Sequence, residues 1–218
     1  MDETKVDLKE DFKPIFSAST KEVTFVGIPA FNFLKIDGVG DPNTAKSFQE
    51  AVKALYGIAY SIKFANKSDE DTFDFVVAPL EGLWWCDDMT KFSINNKEDW
   101  KWTLMIMMPE FITEEKFTFA KQTVIDKKEA KLAKDVRFEL FDEGMCAQIM
   151  HIGSYSEEEP TIQKLHQVIL ANQFELAGLH HEIYMSDPRK TKPEKLKTII
   201  RQPIVKKAKP EVGTKVKP

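Results

Sequence analysis

Residues 180–189 read HHEIYMSDPR, and they hold the combination of side chains best placed to do chemistry. As a strand, the period-two alternation sends His180, Glu182 and Tyr184 to one face and His181, Ile183 and Met185 to the other. A carboxylate beside a phenol can hold a cationic ligand, orient a polar group or, with a raised pKa, act as a base. Asp187-Pro188 ends the strand, because proline lacks the ladder donor and restricts the residue before it. An arbitrary edge-strand glutamate is a solvated surface group. Glu182 instead alternates with Tyr184 in a stretch flanked by Leu179 and Ile183, which points it toward a groove.

Aromatic residues form the second set of candidates. Trp84 and Trp85 are adjacent on a strand and leave on opposite faces, whereas Trp100 and Trp102 share a face, so at least one of each pair should meet the groove. Each alone could be core; four tryptophans within 84–102 exceed what one small core needs. Tyr56, on the apolar stripe of a helix, joins them as candidate lining. His180 and Glu182 could share a metal at i,i+2, but no third ligand has matching spacing, so no metal or organic cofactor is expected. His151 and His166 have no serine or cysteine partner on a recognisable nucleophile elbow. Cys86 and Cys146 lack CxxC or Cys/His spacing and read as buried, reduced thiols.

A tandem pattern of elements has to position these groups. FNFLKIDGVGDPN (31–43) is a strand, glycines and a helix start, and CAQIMHIGSYSEEEP (146–160) repeats that order. One amphipathic helix follows each, with Phe48, Val52, Leu55, Tyr56 and Ala59 in the first and Ile162, Leu165, Ile169 and Leu170 in the second. Strands at 72–85 and 100–109 follow the first helix; strands at 180–185 and 196–205 follow the second. The residues 111–130 read as helix opened by a Thr113 cap, and 136–141 as a strand. Strands 22–28 and 31–37 flank Gly27-Pro29, and Asp142-Glu143-Gly144 stands in the matching place, so each half is expected to begin with a hairpin. The fold class is α+β: two βαββ modules related by a pseudo-twofold axis, their antiparallel sheets forming a shared ligand groove with helices on the other face. An N-terminal arm (1–20), a domain at 21–206 with repeats at about 21–130 and 131–206, and a flexible lysine-rich tail (207–218) divide the chain.

With 218 residues, 42% hydrophobic and a formal net charge of −4, the chain lacks the basic field of a nucleic-acid binder. Its longest apolar run, LMIMM, is far below a membrane span, and the charged N-terminus lacks a signal peptide's apolar region, so a cytoplasmic protein, monomeric or weakly dimeric, is expected.

PLEGLWW (79–85), WKWTLMIMMP (100–109) and HHEIYMSDPRKTKPEKLKTIIRQPI (180–204) resemble the GyrI-like small-molecule-binding family over about residues 20–206. The resemblance implies a cleft on the pseudo-twofold axis for bulky, planar, often cationic or lipophilic compounds, with Glu182 at its centre. It leaves no room for a helix-turn-helix before residue 20. The LEGLWW form is similar to the cyclopropanoid cyclopropyl hydrolases, which implies an aromatic cage that opens the cyclopropane of DNA-alkylating compounds such as yatakemycin. In that reading Glu182 and Tyr184 are catalytic, Glu182 aligning water and Tyr184 hydrogen-bonding the substrate, while Tyr56, Trp84, Trp85, Trp100 and Trp102 help bind it. The alternatives are a non-catalytic multidrug-binding, sequestering or sensing module, and an inhibitor that docks on a DNA-processing enzyme.

Overall fold

The computed structural model describes residues 5–67, 73–87 and 97–208; residues 209–218 of the expected tail and Thr72 of the expected 72–85 strand lie outside them. Two single-turn helices, α1 (Leu8–Asp11) and α2 (Lys13–Phe16), precede strands β1 (Thr24–Ile28) and β2 (Phe31–Val39). Then come α3 (Lys46–Lys67), β3 (Leu80–Trp85), β4 (Lys101–Met108), α4 (Glu114–Asp126), β5 (Arg137–Phe141) and β6 (Gly144–Ile152). The chain continues through α5 (Glu159–Ala171), β7 (Phe174–Leu176), β8 (His180–Tyr184) and β9 (Lys197–Lys206). Thr113 caps α4 by accepting from the Lys116 amide at 3.3 Å.

One antiparallel sheet orders its main strands β1-β6-β9-β8-β3-β4-β2-β5, with the short β7 pairing beside β9. The order is a palindrome: β2-α3-β3-β4 supplies one half, β6-α5-β8-β9 the other, and β3 pairs with β8 between them. The expected opening hairpins do not form. β1 pairs with β6 and β5 pairs with β2, so the halves exchange their leading strands. The cause lies in the β1–β2 link, Pro29-Ala30, because a two-residue hairpin needs residues at positive φ and neither adopts one. At the second junction Glu143 is drawn into a buried ionic cluster instead of a hairpin tip.

The helices cover one face of the sheet. Beneath α3, Ala51, Leu55, Ile58 and Ile62 are buried with Leu34 and Ile36 of β2 and Leu104 and Ile106 of β4. A Cβ on Gly38 would lie 2.0 Å from the Trp102 ring, so only glycine lets that indole cross β2. Beneath α5, Leu165 and Ile169 pack with Ala147, Ile149, Ile200 and Ile204 in a separate cluster. The two helices leave β3 and β8 uncovered between them.

The N-terminal segment lies across the opposite face. Leu8, Ile15 and Phe16 are buried, Phe12 meets Phe31 edge-on at 4.8 Å, and the Pro14 and Ile15 carbonyls accept from Gln148 and Arg201 at 2.9 and 2.7 Å. Between arm and sheet, His181 Nδ1 stands 2.7 Å from Glu143, its Nε2 3.0 Å from Glu81, and Arg201 bonds Glu143 at 3.1 Å. The expectation that helices and groove occupy opposite faces is therefore reversed: the arm fills the face away from the helices, and the groove opens between the helices. Sequence alternation distinguishes two faces without saying which one a distant segment will cover.

Burial disfavours a charged His181, but the charge and hydrogen bond of Glu143, helped by Glu81, outweigh it and raise the imidazole to about 9. Because this pKa is raised on folding from the ordinary value of 6.5, its stabilisation is complete below that value and is lost as pH rises through about 9. The urea midpoint should fall over this alkaline window in the wild type. His181→Gln should be less stable by about 3–5 kcal/mol near neutrality, since it leaves buried Glu81 without its cationic partner and Glu143 with Arg201 alone, and should lack the alkaline fall. An equally steep fall in the variant would remove His181 as its source.

Candidate functional site

The register of β3 on β8 assembles the floor of the groove. Gly82 faces Glu182 and Trp84 faces His180, so alternation brings His180, Glu182, Tyr184 and Trp84 to the helix side. His180 Nε2 stands 3.1 Å from Glu182 Oε1, the Tyr184 hydroxyl donates to Glu182 Oε2 at 2.8 Å, and Trp84 Nε1 donates to the Tyr184 hydroxyl at 3.1 Å. A Cβ on Gly82 would lie 2.8 Å from Trp84 Nε1 and 3.2 Å from the Tyr184 oxygen. Glycine therefore clears the space in which this chain of hydrogen bonds forms.

α3 and the start of α5 make the walls. Phe48 stacks on Trp84 at 6.0 Å, and Trp100 meets Trp84 edge-on at 5.6 Å with Lys97 4.9 Å above its ring. Tyr155 meets Tyr184 edge-on at 5.7 Å, and Glu158 is buried at the start of α5 and lines the groove. Tyr56, Tyr60 and the segment Met185–Arg189 extend the groove, whose volume is about 1820 Å³. Small-molecule pockets usually measure about 300–1,000 Å³.

Two carboxyls share the floor with unequal charge. Burial, then the charge of Glu182, pushes Glu158 well above the ordinary carboxylate range. Burial also opposes ionisation of Glu182, but hydrogen bonds and charge from His180, with hydrogen bonds from Tyr184 and Glu158, hold it below that range. The two shifts run in opposite directions, so the pair favours a shared proton on the Glu158 side and negative charge on the Glu182 side. Burial and the neighbouring carboxyls raise Tyr155 to about 12 and push Tyr184 well above the ordinary phenol range, so both phenols remain hydrogen-bond donors.

Of the residues singled out by sequence, Tyr56, Trp84, Trp100, Glu182 and Tyr184 converge on this groove. Trp102 does not line it: the indole is fully buried under Phe48, with ring centroids 5.3 Å apart, and donates to the Gly40 carbonyl at 3.3 Å. Trp85, next to Trp84 on a strand, turns to the arm-covered face. The Tyr184 hydroxyl directs its proton to Glu182. Glu158 and Tyr155 escaped the sequence reading. In SYSEEEP (154–160), Ser154 and Glu157 satisfy each other in a capping box and Glu159 is exposed, so Glu158 alone of the three glutamates is turned inward. Cys86 and Cys146 are buried and form no disulfide with each other. Among the described residues there is no cluster of three or more His, Cys, Asp or Glu that could hold a metal, and no helix long and apolar enough to cross a membrane.

The family profile of the GyrI-like small molecule binding domain matches residues 21–205. A crystal structure of an uncharacterized conserved protein from Listeria innocua is 38% identical, covers 92% of this chain and 100% of its own, and superposes with a TM-score of 0.86. A hydrolase encoded by lin2189 from the same organism is 38% identical over 93% of this chain and 100% of its own, with a TM-score of 0.84. The EcmrR C-terminal domain, at 13% identity, shares the fold over 85% of this chain and 98% of its own, with a TM-score of 0.52. No curated protein matches the chain.

The unequal charge makes the two glutamates respond differently to one substitution. Glu182→Gln removes the pair's negative charge and should weaken a planar cationic dye about tenfold or more, the scale of a desolvated cation contact. Glu158→Gln replaces a group that is already neutral and should leave the same fluorescence titration within about twofold. Equal losses in the two variants would show that the charge is shared.

Proposed function

The chain belongs to the GyrI-like small-molecule-binding family, and on that premise we propose that it is a cofactor-independent hydrolase that opens the cyclopropane of planar cyclopropanoid compounds such as yatakemycin. The observation that carries the proposal is a buried carboxylate at the floor of an aromatic groove, hydrogen-bonded on both oxygens, with a second buried carboxyl, Glu158, lining the same groove. The hydrolase among the similar structures supports the same reaction class.

Trp84, Trp100 and Phe48 offer flat faces on which a polycyclic ligand can stack while displacing bulk water. Glu182 accepts a proton from the attacking water as its oxygen bonds to the cyclopropane methylene. The strained carbon–carbon bond breaks, and its electron pair passes through the conjugated dienone to the carbonyl oxygen. Tyr155, held protonated beside the floor, stabilises that developing phenolate by donating a hydrogen bond. The phenolate then takes a proton from solvent and Glu182 returns its own, so the net change is addition of one water. Ring strain already stored in the substrate leaves the protein mainly to orient it.

The hydrogen bonds already made by both Glu182 oxygens also suit a fixed counter-ion, which favours a second reading as a non-catalytic multidrug-binding or sequestering module. Incubation with yatakemycin followed by chromatography and mass spectrometry separates the two. The expected product is heavier by one water, and Glu182→Gln should slow its formation by about 10²–10⁴-fold, the usual contribution of a positioned base. Recovery of intact drug after stoichiometric binding would leave the binding module.

A further inference from the structure

The helix α3 carries two apolar stripes where one suffices to attach it to the sheet. Ala51, Ala54, Leu55, Ile58 and Ile62 are buried against β2 and β4. A second stripe, Tyr56, Tyr60 and Phe64, recurs at i, i+4 and i+8 and faces the groove. Its rings follow one another at 6.2 and 6.1 Å, tilted by 27° and 26°. Exposure increases outward, from the half-buried Tyr56 to 44% at Tyr60 and 62% at Phe64. Single exposed aromatics are ordinary on protein surfaces, but three in register along one wall of a cavity form a continuous shelf.

Two further observations give the shelf an occupant. It lines the same groove as Glu182, and the eight residues of helix from Tyr56 to Phe64 give it a length of about 12 Å. The whole groove, about 1820 Å³, is also larger than one planar ring system needs. Opposite the shelf, Asp187 and Arg189 form an ion pair at 2.9 Å, and Asp187 accepts from the Arg189 amide at 2.9 Å, so the facing turn is braced by its own side chains. The charges of Asp187 and Arg189 reach Tyr56, and that of Arg189 also reaches Tyr60.

We propose that the groove has two compartments: an inner one at Glu182, Trp84, Trp100 and Tyr155 for one planar unit, and an outer shelf of Tyr56, Tyr60 and Phe64 for the next aromatic unit of the same elongated ligand. The preferred ligand class is small molecules built of two or more flat aromatic units in tandem. The proposal rests on the reading of this groove as a planar-ligand site; it does not require the ring-opening reaction.

The probes are a Hoechst bis-benzimidazole dye and 2-phenylbenzimidazole, its single-unit fragment, titrated by fluorescence into wild type and a Tyr60→Ala/Phe64→Ala double variant. Both side chains are exposed, so circular dichroism should show an unchanged fold. Wild type should bind the longer dye about tenfold or more tightly than the fragment, as expected for one added aromatic contact. The double variant should lose about that factor for the dye and stay within about twofold for the fragment. An unchanged dye affinity in the variant, or equal losses for both probes, would overturn the shelf alone. Binding of neither probe to wild type would overturn the planar-ligand site and the shelf with it. Length-dependent binding without cyclopropane hydrolysis would uphold the shelf while the catalytic reading fell.

Discussion

The pairing of β3 with β8 is the constraint on which the rest depends. Four residue pairs, Glu81 with Ile183 through Trp84 with His180, join the two halves of the sheet. Period-two alternation gives this junction two opposite chemistries. On one face Glu182, Tyr184 and Trp84 make the floor of the groove; on the other Glu81 and His181 enter the ionic cluster beneath the arm. A slip of one residue would send every one of these groups to the wrong side. Arg201, bonded to Glu143, Gln148 and the Ile15 carbonyl, ties β9 to β6, to the second strand junction and to the arm, holding the register from below.

Carboxyls are buried on both faces, under different terms. In the lower cluster Glu81 and Glu143 meet His181 and Arg201, so two negative groups face two positive ones and the cluster is close to neutral when His181 is protonated. In the groove Glu182 meets His180, Tyr184 and the acid of Glu158, and its charge is held by hydrogen bonds from all three together with the charge of His180. Held beside open volume, that charge can interact with a ligand without dismantling the cluster that ties the strands together. The first cluster holds strands together; the second leaves negative charge at the base of a cavity.

Much of this was legible from local pattern. The alternation of HHEIYM placed Glu182 and Tyr184 together, and the stripes of Phe48–Ala59 and Ile162–Leu170 marked the two helices that became walls. The exchanged strands were hidden, because β1 reads as an adequate hairpin partner for β2 and only the Pro29-Ala30 link argues otherwise. The side of the sheet that would stay open depended on where residues 5–22 fold back, a long-range event with no local signature. Trp84 and Trp85 are chemically alike in sequence and were separated by the pleat. Glu158 was masked by two neighbouring glutamates, one a cap and one solvated.

The strand exchange carries a consequence for biosynthesis. Thr24 of β1 is bonded to Gln148 of β6, 124 residues further along, and at ordinary translation speeds of about 5–20 residues per second β1 waits roughly 6–25 s on the ribosome for its partner. β2 likewise waits for β5 while β4 can already protect its other edge. The first half therefore emerges with an unpaired strand and an open sheet edge, and it reaches its final pairing only after the second half has been made. During that interval β1 is an unpaired strand, the kind of edge on which other chains can template, so the topology carries its greatest exposure to misassembly before the second half is made.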